Sequence, residues 1–348
     1  MARSFRIRSG IFGGVMTLIC LAILFRQVDL KHSFNMLSGL NGPFLLLTST
    51  VFLANLPLRS LRWQLIFSKA SRPTFLSCMI ALGIGNMMNF LLPGRAGDLA
   101  RCVLVAHDTS LHESTRALAT IAFEKVLDGL ALVGLVLFSV WALHPPGWVL
   151  ALVRMAALTF GIALVVLIFM RVRTEALIKT IRLSLRGTKL AFLEDRIART
   201  LSSFADGLSA LDTTRQILSL LLLTLGVWMS EVALIWAIAG AFRLPLTLQS
   251  AAVASAVLGL GLMIPAAPGG LGTYELFGTE VFQLAGMAAS SALALTVVIH
   301  AWVFVSNIAF GTCLLAVKGL SLAQLKSRIK VESDALAPGS PSAARTSL

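Results

Sequence analysis

Two interruptions in otherwise apolar sequence restrict this chain more than any other feature. The apolar run Phe75–Leu92 ends at Pro93-Gly94-Arg95-Ala96-Gly97-Asp98. A second run, about Leu248–Ala267, ends at Pro268-Gly269-Gly270-Leu271-Gly272-Thr273-Tyr274-Glu275. Both junctions fit P-G-x-x-G, and each run is itself broken by a G-x-G, at Gly83/Gly85 and Gly259/Gly261. In a helix interior glycine costs about 1 kcal/mol and proline about 3. Each run is therefore expected to enter a bilayer as a helix and to stop there. A helix that stops in hydrocarbon leaves amides and carbonyls unpaired, which is tolerated only against protein or a wet cavity. The two motifs read as the tips of two broken-helix hairpins that meet at a polar pocket.

The rest of the chain supplies the membrane context. Of 348 residues 57% are hydrophobic and 13% charged, and several runs approach the roughly 20 apolar residues that span a bilayer. The net charge of +13 reads as loop Lys and Arg fixing topology, so no nucleic-acid partner is expected. Cys20, Cys78, Cys102 and Cys313 have neither metal-ligand nor disulfide spacing, and the five histidines are dispersed. H-E-x-x-H, nucleophile-elbow and Walker patterns are absent, so no metal, cofactor or enzymatic activity is expected.

Taken in order, Ile11–Phe25 follows Arg3, Arg6 and Arg8 and precedes Phe25-Arg26-Gln27, which is no cleavage site; an uncleaved first span is expected. Further spans are read at about 43–67, 117–143, 148–170, 216–241 and 288–317. Arg59 and Arg62 fall late in the second, and their plain reading is snorkelling to the interface. Arg171, Arg173, Lys179, Arg182, Arg186 and Lys189 mark 171–215 as a cytoplasmic loop. Within it Ile197, Leu201, Phe204, Leu208 and Leu211 form the stripe of an amphipathic helix on the membrane face, for packing or for a headgroup or partner contact. Residues 1–320 read as one integral membrane domain and 321–348 as a disordered cytoplasmic tail.

The motifs start 175 residues apart, the spans before them 173 and those after them 171. Span–hairpin–span thus recurs as repeat A, about 43–143, and repeat B, about 216–317. If each hairpin dips in and returns, three crossings separate the copies and the second is inverted. That places the N-terminus, the Lys/Arg-rich loops and the C-terminus together in the cytoplasm. The expected fold is an all-α polytopic membrane protein with about six full spans and two opposed re-entrant helical hairpins in an inverted repeat.

Chemistry-bearing residues gather around this frame. Arg95, Asp98 and Arg101 share one helical face, and a helix starting near Gly97 would aim free amides at the pocket, a plausible phosphate site. The alternative is mutual pairing. Glu124 and Asp128 are stacked carboxylates at i and i+4, which repel unless a cation sits between them; Arg95, Arg101 and Lys125 are the candidate partners. At the second tip, Thr273, Tyr274 and Glu275 offer a hydroxyl, a phenol and a carboxylate, the last also suited to a helix N-terminus. Glu231, His300 and Asn307 are lesser polar interruptions, His300 being read as hydrogen-bonded packing before proton relay.

Four stretches together resemble the membrane domain of the lysylphosphatidylglycerol synthase and flippase family, also met as stand-alone membrane proteins. They are Leu58-Arg59-Ser60-Leu61-Arg62-Trp63, Leu92-Pro93-Gly94-Arg95-Ala96-Gly97-Asp98-Leu99-Ala100-Arg101, Phe123-Glu124-Lys125-Val126-Leu127-Asp128 and Pro265-Ala266-Ala267-Pro268-Gly269-Gly270-Leu271-Gly272-Thr273-Tyr274-Glu275. The similarity covers roughly residues 10–320. Glu124-Lys125 stands where the family pattern has Glu-Arg, and Asp98 where it has Glu; both keep the charge. The resemblance implies lipid movement between leaflets of a bacterial inner membrane. The cytoplasmic domain that transfers an aminoacyl group in fused members is expected to have no counterpart here. Arg95 and Arg101 would hold phosphate, and Asp98, Glu124, Asp128 and Glu275 would meet a cationic headgroup or carry protons. Gly269, Gly272 and Tyr274 would line the path, with Pro93, Gly94, Gly97, Pro268 and Gly270 forming the tips. The expected partner is a membrane lipid, with a lipid-synthesis enzyme or glycosyltransferase as a possible second. A scaffold for such an enzyme and a membrane-embedded lipid transferase are the rival readings.

Overall fold

The computed structural model describes residues 41–321 apart from 69–70, 93–94, 106–110, 144–145, 187–193, 210–212 and 264–267, together with 324–325 and 327. The first span at Ile11–Phe25, the tip residues Pro93 and Gly94, Leu211 and most of the tail lie outside the described residues. Eleven α-helices are described: α1 Gly42–Ile66, α2 Phe75–Leu91, α3 Ala96–Val105, α4 Leu111–Leu143, α5 Gly147–Val172, α6 Thr174–Leu185, α7 Glu194–Gly207, α8 Thr214–Ala241, α9 Leu248–Met263, α10 Thr273–Leu284 and α11 Ala289–Val317. A 3₁₀ turn, Pro268–Gly270, precedes α10. The described residues are all-helical, without a strand.

Four helices, α1, α5, α8 and α11, are long and apolar enough to cross a membrane. α4 is longer still, at 33 residues, but carries Glu124, Lys125 and Asp128 near its middle. Side chains are distributed inside out relative to a water-soluble protein. Leu46, Phe138, Met155 and Leu222 point outward, while Arg62, Arg101, Glu124 and Asp128 are buried. Such a surface suits lipid, where apolar exposure is free and charge must find a partner. The chain is a multi-pass, membrane-embedded protein.

α1 and α8 pack antiparallel along their whole length. The Asn41 amide donates to the Ala241 carbonyl at 2.9 Å, Asn55 Nδ2 to Ser230 Oγ at 2.7 Å, and Gln216 Nε2 to the Leu65 carbonyl at 2.5 Å. Contacts around the two helix pairs that meet at the motifs recur in both halves. α2 packs on α1 and α3, as α9 does on α8 and α10; α2 also crosses α11, as α9 crosses α4; α3 rests on α4, as α10 rests on α11. Exchanging 42–143 for 214–317 thus reproduces this packing scheme.

The G-x-G pairs differ from expectation. Both lie inside unbroken helices, α2 and α9, because a glycine in a packed helix removes side-chain bulk as well as propensity. The first glycine of each pair faces the opposite half, Gly83 against Leu314 and Gly259 against Leu132. The second faces its own hairpin partner, Gly85 against Gly97 and Arg101, and Gly261 against Phe277. α2 is described to Leu91 and α9 to Met263, each ahead of its P-G-x-x-G motif. There Gly269, Gly270 and Gly272 take φ of 69°, 75° and 85°, which glycine adopts without steric cost. A shift of 175 residues puts Arg95 at the place of Gly270, and Arg95 too is left-handed, with φ 54°.

The amphipathic helix of the loop takes the packing role. α7 packs on α4, burying Ala198, Ala205 and Leu208, and Gly207 sits against the Arg116 carbonyl and Ala119. Its apolar face is covered largely by protein, although Ile197 stays exposed.

A β-carbon on Gly97 would fall on the Gly85 carbonyl and the Asn89 side chain, whereas one on Gly226 meets nothing within 4 Å. Gly97→Ala is expected to destabilise the purified protein by about 1–3 kcal/mol, the usual cost of overpacking. Gly226→Ala is expected to cost nothing. Thermal unfolding of both in detergent checks the order; equal melting temperatures would contradict the close α2–α3 approach.

Candidate functional site

Charges in the first half assemble into one buried network. Arg62 on α1 straddles the two stacked carboxylates of α4: its Nη1 donates to Asp128 Oδ1 at 2.6 Å and its Nη2 to Asp128 Oδ2 at 3.2 Å and Glu124 Oε1 at 3.1 Å. Arg101 on α3 pairs with the other oxygen of Glu124. Two guanidinium groups thus hold apart carboxylates that would otherwise repel. The indole of Trp228 on α8 donates to Asp128 Oδ1 at 3.1 Å. Trp63 lies over the Arg101 guanidinium, 4.2 Å from ring centroid to Cζ, a cation–π contact. Arg62 is 0% exposed, so it does not snorkel: two facing carboxylates hold it in the interior more strongly than the interface attracts it.

At the first tip Asp98 lies between two arginines, with Arg101 Nη1 at 3.7 Å and Arg95 Nε at 3.6 Å. Asn89, near the end of α2, accepts from the Gly97 amide at 2.9 Å and so closes the start of α3. The second tip solves the same problem differently. Glu275 Oε2 accepts from the Gly272 amide at 2.6 Å and caps α10. Glu275 Oε1 meets His300 Nδ1 of α11 at 2.5 Å, while His300 Nε2 meets the Gly269 carbonyl at 2.9 Å. Tyr274 stacks on the His300 ring at 4.3 Å. In both halves a side-chain contact ties the outgoing helix of the hairpin to the long helix after it, Arg101 with Glu124 in the first and Glu275 with His300 in the second.

The two tips converge. Phe90 of α2 and Phe304 of α11 meet edge to face at 5.6 Å, and both lie against Gly269. Beneath them is a cavity of about 500 Å³ lined by residues of both tips, among them Asn89, Arg95, Gly269, Gly270 and Tyr274. Much of the remaining wall is apolar, from α1, α8 and α9. Three cations reach it: Arg59, Arg95 and Lys125. Arg59 is matched by Glu231 at 2.9 Å, midway along the α1–α8 pair. Arg95 is 45% exposed at its side chain despite Asp98, and Lys125 lies near Asp98 and Glu124 without an ion pair to either among the described residues. The wall therefore has an excess of positive charge at the first tip.

Of the residues singled out from sequence, Arg95, Gly269, Gly270 and Tyr274 line the cavity. Arg101, Glu124 and Asp128 lie in the buried network beside it, and Asp98 bridges the two. Glu275 stands behind His300, Gly272 caps α10, and Gly97 packs on α2 with Pro268 opening the 3₁₀ turn. Sequence reading missed Arg62 as the partner of Glu124 and Asp128. It also missed the Arg59–Glu231 pair and the tie between His300 and Glu275. The available signal was the depth of Arg62 within an apolar run, since ionisable groups inside a bilayer rarely go unpaired.

The fold and site define a helical membrane protein organised about a central, positively biased cavity between two broken-helix pairs. Residues 10–311 match the family model described as the lysylphosphatidylglycerol synthase TM region, and the chain belongs to that family. No curated protein and no solved structure matches the chain.

Arg62→Ala leaves Asp128 buried with only the Trp228 indole as its partner and is expected to destabilise by about 3–5 kcal/mol. Arg62→Lys is expected to recover only part of this, because an ammonium cannot make the two-pronged contact with Asp128. Arg59→Ala, at a partly exposed pair, is expected to cost much less. Denaturation midpoints of the three variants check the ranking; an Arg62→Ala midpoint equal to wild type would contradict the network.

Proposed function

We propose that this protein is a lipid translocase of the flippase type, moving a polar-headed phospholipid or glycolipid between leaflets without covalent chemistry. Six full spans, counting Ile11–Phe25 and α4, frame two re-entrant hairpins, α2–α3 and α9–α10, in a bacterial inner membrane with both termini cytoplasmic. The antiparallel α1–α8 pair and the matched packing of the two halves support an inverted repeat, the arrangement in which discontinuous helices meet at a mid-membrane site.

The observation that carries this reading is the single cavity shared by both tips. A lipid phosphate there would meet Arg95 and Lys125, which have charge to spare, while Arg101 is already taken up by Glu124. The acyl chains would lie along the apolar wall. Arg95 adds an independent argument: a non-glycine in the left-handed region costs on the order of 1 kcal/mol, and such strain gathers where a side chain is needed. A lipid transferase would need Glu124 and Asp128 as its acid and base, yet Arg62, Arg101 and Trp228 occupy both carboxylates. The scaffold reading rests on the loop 171–215, where no comparable site is found among the described residues.

Arg95→Gly separates function from folding, since glycine suits the left-handed backbone. Its melting temperature is expected to equal or exceed wild type, while transfer of fluorescent phosphatidylglycerol between liposome leaflets falls about tenfold. Lys125→Gln is expected to slow transfer similarly. Unchanged transfer in both variants would remove the phosphate site from the mechanism.

A further inference from the structure

We propose that His300 and Glu275 form a proton-binding dyad that drives the second hairpin tip, coupling lipid movement to the transbilayer proton gradient. This inference rests on the transport reading and adds its energy source.

The argument is one of donors and acceptors. Both ring nitrogens of His300 face oxygen atoms, Nδ1 toward Glu275 Oε1 at 2.5 Å and Nε2 toward the Gly269 carbonyl at 2.9 Å. A carbonyl can only accept, and an ionised carboxylate can only accept. The second oxygen of Glu275 already accepts from the Gly272 amide. A neutral imidazole carries one N–H and can satisfy only one of its two neighbours; an imidazolium satisfies both. The two contacts therefore call for one proton beyond a neutral imidazole facing an ionised carboxylate; the dyad holds it as an imidazolium on His300 or as the acid on Glu275 donating to Nδ1, and Tyr274 is stacked on the ring face.

The position of this pair gives the proton a mechanical consequence. Gly269 is a tip residue, left-handed at φ 69°, and Phe90 and Phe304 close over it from the other side. When the Nε2 proton passes to water in the cavity, Nδ1–H stays on Glu275 and the lone pair left on Nε2 faces the Gly269 carbonyl. An attraction at the tip becomes a repulsion, no covalent bond having changed except N–H. The His300 side chain lines the cavity, so the proton has a route to and from it. The other charged and titratable groups lining this space are Tyr274 from α10, Glu231 from α8, Arg59 from α1, and Arg95 and Lys125 at the first tip, with Asp98 between Arg95 and Arg101; α2 contributes Asn86 and Asn89, which do not titrate. Arg59 and Glu231 neutralise each other, so the excess positive charge at the first tip is the field into which the proton is released. A lipid phosphate bound there would cancel that excess and favour the protonated dyad, which links occupancy of one tip to the state of the other.

Two measurements test this. In full-length protein with His32, His107, His112 and His144 replaced by Gln, nitrogen-15 NMR in nanodiscs sees His300 alone. At neutral pH either both ring nitrogens or one ring nitrogen and the Glu275 carboxyl, followed by its carbon-13 shift, are expected to carry protons; one N–H together with an ionised Glu275 would overturn the dyad whatever the protein transports. In liposomes, transfer of fluorescent phosphatidylglycerol is followed under a gradient of one pH unit. The wild type is expected to accumulate the probe in one leaflet by up to about tenfold, the limit for one proton per lipid, and Glu275→Gln is expected to leave it evenly divided. Even division by the wild type would overturn the coupling and leave passive transport standing. Absence of transfer at any pH would overturn transport and coupling together.

Discussion

Charge buried among apolar helices is the constraint from which the rest of this structure follows. An unpaired charge in such surroundings costs several kcal/mol, so every buried ionic side chain commits its helix to a neighbour. Arg62 commits α1 to α4, Arg101 commits α3 to α4, and Glu275 commits α10 to α11. Two of these ties fasten the short helices α3 and α10 to the long helices that follow them. Each short outgoing helix of a hairpin is thereby fixed, and each tip is delivered to the centre of the molecule.

The two halves reach this end with different chemistry. In the first, an arginine on the hairpin meets a carboxylate on the long helix; in the second, a carboxylate on the hairpin meets a histidine on the long helix. The caps differ likewise, Asn89 closing Gly97 where Glu275 closes Gly272. The backbone arrangement is repeated while the side chains are not. The cavity is consequently polarised, with spare positive charge at the tip of α2–α3 and the Glu275–His300 contact at the tip of α9–α10. A symmetric frame with unlike ends suits a molecule that binds a charged headgroup at one point and responds to it at another.

Much of the helical frame was legible in sequence because the physics behind it is local. Apolar run length marked α1, α5, α8 and α11, and proline next to glycine marked where α2 and α9 stop. The near-constant spacing of the repeats foreshadowed the matched packing. What escaped was set by contacts between distant segments. Arg62 could be paired with Asp128 only once α1 lay against α4, and His300 with Glu275 only once α10 folded back on α11. The glycines of G-x-G misled for the same reason: propensity read them as breaks, whereas in the fold they are places where another helix comes close. Arg95 shows the limit most clearly, since nothing in its local sequence announces a left-handed backbone until Gly270 is recognised as its counterpart.

The central claim is that both tips meet at a wet, headgroup-sized space within the membrane. Replacement of the four native cysteines, followed by Asn307→Cys on the cavity wall or Phe138→Cys on the lipid-facing surface, permits a direct comparison. A charged, membrane-impermeant thiol reagent applied to vesicles should modify the cysteine at 307 and leave the one at 138 untouched. Equal inertness at both positions would mean that the space is dry and closed, and that no headgroup passes through it.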